Sequence, residues 1–325
     1  MKGRRSVLRV VLGLCLMAVP LVGLWQRNDI YDAVQLRGYT PPSAVANLAA
    51  RDTMTSYGQH LFYVNHPQLV GDSATFRADC TLAEQTIVLG CYHPNQRGVF
   101  VYNVQDPRLA GIIEVTSAHE MLHAAYDRLS SSDKKNIDKM LQDYYKNNLK
   151  DQRILDTIES YRKTEPNDVV NEMHSIFGTE IADLPAPLDN YYKRYFTNRA
   201  AVVGFSQNYE NEFTNRSAKA DQYEKQLNEL KAKISAEETG LRTQSDKINA
   251  EQARLDSLKA SDQIEQYNAG VANYNASVDA YNSGVAGYKR DINNYNTLVE
   301  QYNAVAGELK QLYGAIDTRL APKVQ

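Results

Sequence analysis

The sequence predicts an α+β domain followed by an antiparallel coiled-coil hairpin, the whole preceded by a short membrane-directed segment. Three observations carry this. β-rich runs come first and helical periodicity follows, which is the order of an α+β chain and not of an alternating α/β one. Tyrosines fall at 267, 274, 281, 288, 295 and 302 without a miss, a strict period of seven. An uncharged apolar run, Val10 to Trp25, follows the basic residues Lys2, Arg4, Arg5 and Arg9. The expected divisions are a membrane segment at 1–27, a mixed domain at 28–205, a helical hairpin at 206–312 and a tail at 313–325.

The apolar run is 16 residues long, short of the roughly 20 that span a bilayer. Arg9 can snorkel to lengthen it, and Trp25 is placed for the far interface. Ala18-Val19-Pro20 fits a cleavage site poorly, and Leu12-Gly13-Leu14 before Cys15 is a weak lipobox. An uncleaved signal anchor is therefore expected, with a secreted chain as the alternative if the segment is removed. The positive-inside rule puts the bulk of the chain outside the cytoplasm in either case. Cys80 and Cys91, with ten residues between them, can pair in that oxidising compartment, against the alternative of two buried thiols. A net charge of -3 leaves no basic excess for phosphates, so nucleic acid is not an expected partner.

Within the mixed domain, Pro41-Pro42-Ser43 introduces a short helix through about Arg51. Leu61-Phe62-Tyr63-Val64 reads as a strand stopped by His66-Pro67. Thr86 to Tyr92 and Gly98 to Val104 read as a hairpin around the five residues His93–Arg97. After Asp106-Pro107 the period changes: Ala118, Met121, Leu122, Ala125 and Leu129 recur at three- and four-residue steps. Further helices are expected at 133–150, 152–162, 169–177 and 190–197. In the C-terminal third, Ile264, Val271, Val278, Val285, Ile292 and Val299 each precede a tyrosine by three, giving an a/d seam. An earlier seam runs through Leu227, Leu230, Ile234, Leu241, Ile248, Leu255 and Leu258, out of register with the second. The break at Lys259-Ala260-Ser261-Asp262, with Asp262 and Glu265 in the form of a capping box, predicts two helices of about fifty residues folded back on each other. One continuous helix with a phase slip is the competing arrangement. Such a hairpin serves as a spacer, a self-association element or an arm for a protein partner, or as a purely structural coiled coil.

The chemistry concentrates in His119-Glu120-Met121-Leu122-His123. On a helix, residues i and i+4 share a face one turn apart, so both imidazoles can reach one metal ion. Glu120, beside the first ligand, is placed to act as general base. Two of the six histidines lie in this motif. The β-rich run Gly98–Val104 precedes it by a short connection and is a candidate edge strand for holding an extended peptide.

These residues resemble the zincin superfamily of metallopeptidases, over the motif helix, the strand before it and a candidate third-ligand helix. The resemblance implies a sheet above an active-site helix, a Zn2+ cofactor, a peptide or protein substrate, and hydrolysis by a zinc-polarised water. The metzincin extension is missing, because Tyr126 and Leu129 stand where that branch has glycine and histidine. The third ligand lies elsewhere. Asn171-Glu172, 49 residues after His123, resembles the gluzincin arrangement and makes Glu172 the first choice, with His174 and then Glu180 as rivals. The acidic residue which that branch carries four positions later is Ile176 here, so Glu180 or Asp183 would have to supply it. His174, Tyr191, Tyr192, Arg194 and Tyr195 are the candidates for an oxyanion donor. His60, His66 and His93 are isolated and read as structural. The competing function is a cell-envelope coiled-coil scaffold whose zincin-like domain is inactive or structural. A zinc hydrolase acting on a non-peptide envelope polymer is a further possibility.

Overall fold

The computed structural model of the chain describes residues 27–80, 88–93 and 98–319. The expected membrane segment lies outside them, apart from its last residue. Among the described residues no helix is long and apolar enough to cross a membrane. The described residues divide into two compact units, one running to Asn211 and resuming at Tyr313, the other Glu212–Leu312. The first unit thus extends past the expected boundary at 205 and takes in the described part of the expected tail.

The first unit is mainly helical. Its helices are α1 (Arg27–Gln35), α2 (Ser43–Arg51), α3 (Ser56–Val64), α4 (Ser73–Asp79), α5 (Ile112–Asp127), α6 (Ser131–Asn147), α7 (Gln152–Thr164), α8 (Val169–Thr179) and α9 (Ala186–Tyr192), with the start of α10 (Arg199–Ala260). Its strands are short: β1 (Gln68–Val70), β2 (Gly90–His93) and β3 (Gly98–Tyr102). This overturns the expected α+β domain of zincin type, since one small sheet sits in a helical body. The clearest local reason is Leu61–Val64, expected as a strand. It is the end of α3, capped by the Thr55 side chain, which accepts from the Gly58 amide at 3.1 Å. Four adjacent apolar residues fit a buried helix as well as a strand, and the cap upstream decides between them.

The sheet order is β1-β3-β2, with β1 parallel and β2 antiparallel to β3. The two strands of the expected hairpin pair in register, His93 opposite Gly98 and Gly90 opposite Val101, while residues 86–87 and the loop residues 94–97 lie outside the described ones. β3, expected as the edge, is the central strand, and β2 is an edge. Alternation sends Val99 and Val101 into the main core with Ala118, Met121 and Leu122 of α5. Phe100 and Tyr102 pack on the opposite face, against Phe76 of α4 and the two cysteines. Cys80 and Cys91 form a disulfide, Cα atoms 5.8 Å apart, which ties the end of α4 to β2.

α8 packs against α5 in the same core. Gly178 permits the approach, because a Cβ there would strike Leu122 Cδ1 and lie 2.7 Å from Tyr192 Cε1. α5 begins at Gly111, whose φ of 102° is left-handed and suits glycine.

The second unit is the expected antiparallel hairpin, formed by α10 and α11 (Ile264–Ile316). Leu255 packs at Gly270 and Leu241 at Gly284, while Lys233 pairs with Asp291 at 2.6 Å and Arg216 with Glu308 at 2.7 Å. Partner numbers fall on one helix as they rise on the other. Asp262 does not open a capping box. It takes φ 60° and closes α10 in a Schellman turn, with the Gln263 amide on the Leu258 carbonyl (2.9 Å) and its own amide on Lys259 (3.3 Å). On α11 the deepest seam positions are Gly270, Asp291, Val305 and Leu312, one residue before the expected valine row, of which Val271 to Val299 are half-buried and Ile264 is exposed.

Candidate metal centre

α5 builds the floor of the site. Ala118, Met121, Leu122 and Ala125 are almost wholly buried and fix the helix rotation, so His119, Glu120 and His123 share the remaining face. The two imidazole centroids are 4.7 Å apart. α8 supplies the third group. Val169, Met173, Ile176 and Phe177 hold its apolar side in the core, and Glu172 projects from the other side between the histidines. Its Oε2 lies 3.4 Å from His119 Nε2 and its Oε1 lies 3.4 Å from His123 Nε2. One ligand atom from each of the three residues falls within 4.8 Å of the others.

These separations fit a shared ion better than direct hydrogen bonds. A good N–H···O bond is about 2.9 Å, whereas ligands about 2.1 Å from a tetrahedral ion stand about 3.4 Å apart. Glu172 is 8% exposed, and its Oε2 has no hydrogen-bond partner. A buried carboxylate oxygen without a partner between two imidazoles is a donor set suited to a cation. Burial raises the Glu172 pKa, but His123 and His119, with the Tyr161 hydroxyl beside the carboxylate, outweigh it and hold the group below the usual glutamate value. Glu120 goes the other way. Burial pushes it up to about 8, with His123 pulling it down and Glu172 adding to the rise.

The wall over Glu120 is β2. Gly90 lies so close that a Cβ would come within 2.5 Å of Glu120 Oε1 and 2.6 Å of Thr116 Cγ2. Along with His119, Glu120, His123 and Glu172, the open cleft of about 430 Å³ is lined by Leu89, Gly90, Tyr92, Thr116, Tyr161 and Asp168 among others.

The rival ligands do not join the histidine pair, although Glu180 also lines the cleft. Two residues along a helix turn the side chain by about 200°, so His174 faces away from Glu172 into a cage of Tyr126, Tyr191, Tyr192 and Tyr195. Its Nε2 meets the Tyr191 hydroxyl at 2.9 Å, and burial lowers its pKa to about 3. It is a neutral core histidine. Glu180 is held by Arg153 at 2.7 Å. The expected oxyanion donors His174, Tyr191, Tyr192, Arg194 and Tyr195 do not line the cleft. Tyr161, Tyr92, Asp127 and Gly90 do, and sequence reasoning passed over all four because nothing local marks them. The isolated histidines are structural: His60 bonds Asp32 (2.7 Å), His66 donates to the Gln35 carbonyl (2.8 Å), and His93 lies against the Asp79 carbonyl (2.9 Å) and Cys91 Sγ (3.3 Å).

Comparison of the chain with protein-family models, with curated proteins and with solved structures gives no match.

Proposed function

We propose that the chain is a zinc-dependent peptidase, with His119, His123 and Glu172 as metal ligands and Glu120 as general base. The observation that carries this is the convergence of three ligand atoms within 4.8 Å, beside a buried carboxyl group and at the floor of an open cleft. Three protein ligands facing open space suit a catalytic zinc, whereas structural zinc is closed by four. Bound there, zinc supplies Lewis acidity, lowering the pKa of water and polarising a carbonyl. Glu120 takes the proton of the attacking water and returns it to the leaving amine. Tyr161 orients Glu172 from α7. Among the described residues β2 is an edge strand along the cleft, on which an extended peptide can be held by main-chain bonds.

The reading places the enzyme outside the cytoplasm, anchored by the basic and apolar N-terminal segment. The disulfide between Cys80 and Cys91 agrees with an oxidising compartment. The test is cleavage of an unfolded protein such as casein by the full chain. Glu120→Gln is expected to lower turnover by at least about a hundredfold, at the low end of what a general base contributes, while zinc remains bound. Unchanged cleavage by that variant would sink the proposal.

A further inference from the structure

The cleft has two chemically different ends, and α5 sets the distance between them. Val115 and Asp127 both line it, twelve residues and therefore about 18 Å apart along the helix. The metal ligands lie between. β2 runs alongside in the same direction, since Gly90 sits over Thr116 and Glu120 while Tyr92 reaches Asp127 further along. One end carries the aliphatic side chains Val88, Leu89 and Val115, with Tyr209 and the Arg153-paired Glu180 also in the lining. The other carries Asp127 and Asp168, with Glu165 beside them.

Every charged side chain lining that second end is acidic. A bound Zn2+ would be balanced by Glu172 and Glu120, and Glu180 is taken by Arg153. Asp127 accepts from the Tyr92 hydroxyl. Among the described residues, the cleft lining holds no lysine or arginine. Apart from the Glu172 oxygen taken by the metal, the orphaned atom of the lining is also an acceptor, Asn171 Oδ1. A wall of acceptors and carboxylates is completed by a donor-rich cation.

We propose that the cleft selects peptides carrying a lysine or arginine at the Asp127 and Asp168 end and an aliphatic residue at the Val88, Leu89 and Val115 end. This rests on the peptidase reading. At about 3.4 Å per extended residue, each end lies roughly two to three residues from the scissile bond.

The test is cleavage-site profiling of the zinc-loaded full chain on a diverse peptide mixture. Lysine and arginine should be enriched within three positions on one side of the cut, and aliphatic residues on the other. The double variant Asp127→Asn, Asp168→Asn should lose about tenfold or more in kcat/KM on a lysine-containing peptide. It should stay within about twofold of the parent on the same peptide with lysine changed to glutamine. Cleavage without a basic preference, or a double variant with unaltered selectivity, would overturn the inference and leave the peptidase reading intact. A binding measurement covers the case of no cleavage. Anisotropy of a labelled lysine-containing peptide with the zinc-free chain should show tighter binding than its glutamine counterpart, abolished in the double variant. Selective binding without cleavage would support this cleft preference and count against peptidase activity; equal binding of both peptides would overturn it.

Discussion

At the scale of single residues, the site depends on small groups as much as on its ligands. Gly90 carries no chemistry, yet a methyl group there would press on both Glu120 Oε1 and Thr116. Gly90→Ala is expected to move the Glu120 carboxyl and lower kcat by about a hundredfold, the cost of roughly 1 Å of misplacement, with zinc content unchanged. Steady-state kinetics beside metal analysis checks this; a full kcat would show that the strand gives way instead. The pair at i and i+4 in the motif was legible in the sequence because helix geometry alone puts His119 and His123 together. Glu172 could be named but not separated from His174 without knowing which side of α8 is buried. Ile176 explains the missing acidic neighbour: at 1% exposure it belongs to the core, and the Tyr161 hydroxyl stands beside the carboxylate in its place. Tyr161 lies eleven residues before Glu172 on a different helix, a relation that no local spacing encodes.

At the scale of elements, two contacts hold α5 in place. Gly178 lets α8 approach Leu122 and Tyr192 closely, so Gly178→Ala should cost about 1–3 kcal/mol through overpacking. Urea unfolding measures it, and an unchanged midpoint would mean that the helices separate freely. The second contact pins α1 to the end of α5. Asp32 accepts from both terminal nitrogens of Arg128, at 2.8 and 2.7 Å, and from His60 at 2.7 Å. Burial raises the Asp32 pKa, but the hydrogen bonds from Arg128 and His60 outweigh it and leave the folded value below 3.8. An acid with a lowered folded pKa stabilises the fold at pH above its unfolded value, and the gain disappears as pH falls through the folded one. Asp32→Asn should therefore cost about 2 kcal/mol at pH 7 and progressively less below about pH 4. Unfolding midpoints of the two proteins across that range test it; a gap that widens in acid would contradict the assignment. Helices with clear periodicity, from α5 to α8, were legible to within a few residues. α1, α4 and β1 were not, being too short to show a period, and the Leu61–Val64 run shows why apolar content alone cannot choose between strand and helix.

At the scale of the whole molecule, the hairpin was legible from its heptads, while the class of the first unit was not. Its sheet is three short strands, and the helices around it outweigh the β-rich runs that suggested an α+β domain. The chain after the hairpin also returns to the first unit: the Thr318 carbonyl accepts from Arg77 at 2.8 Å, and its hydroxyl reaches the Val88 carbonyl at 3.4 Å. Residues 313–319 are thus part of the body that holds the cleft and not a tail, which a sequence of mixed polarity gave no sign of. The claim on which all of this rests is that His119, His123 and Glu172 hold one metal ion. The most direct measurement is the metal content of the purified full chain, refolded or expressed with zinc and dialysed, beside the variants His123→Ala and Glu172→Gln. One zinc per chain is expected for the parent. Each variant should bind more weakly by a larger factor than the roughly 10–100-fold cost of losing an outer-shell group. A parent that retains no stoichiometric metal, or variants that keep it, would contradict the account.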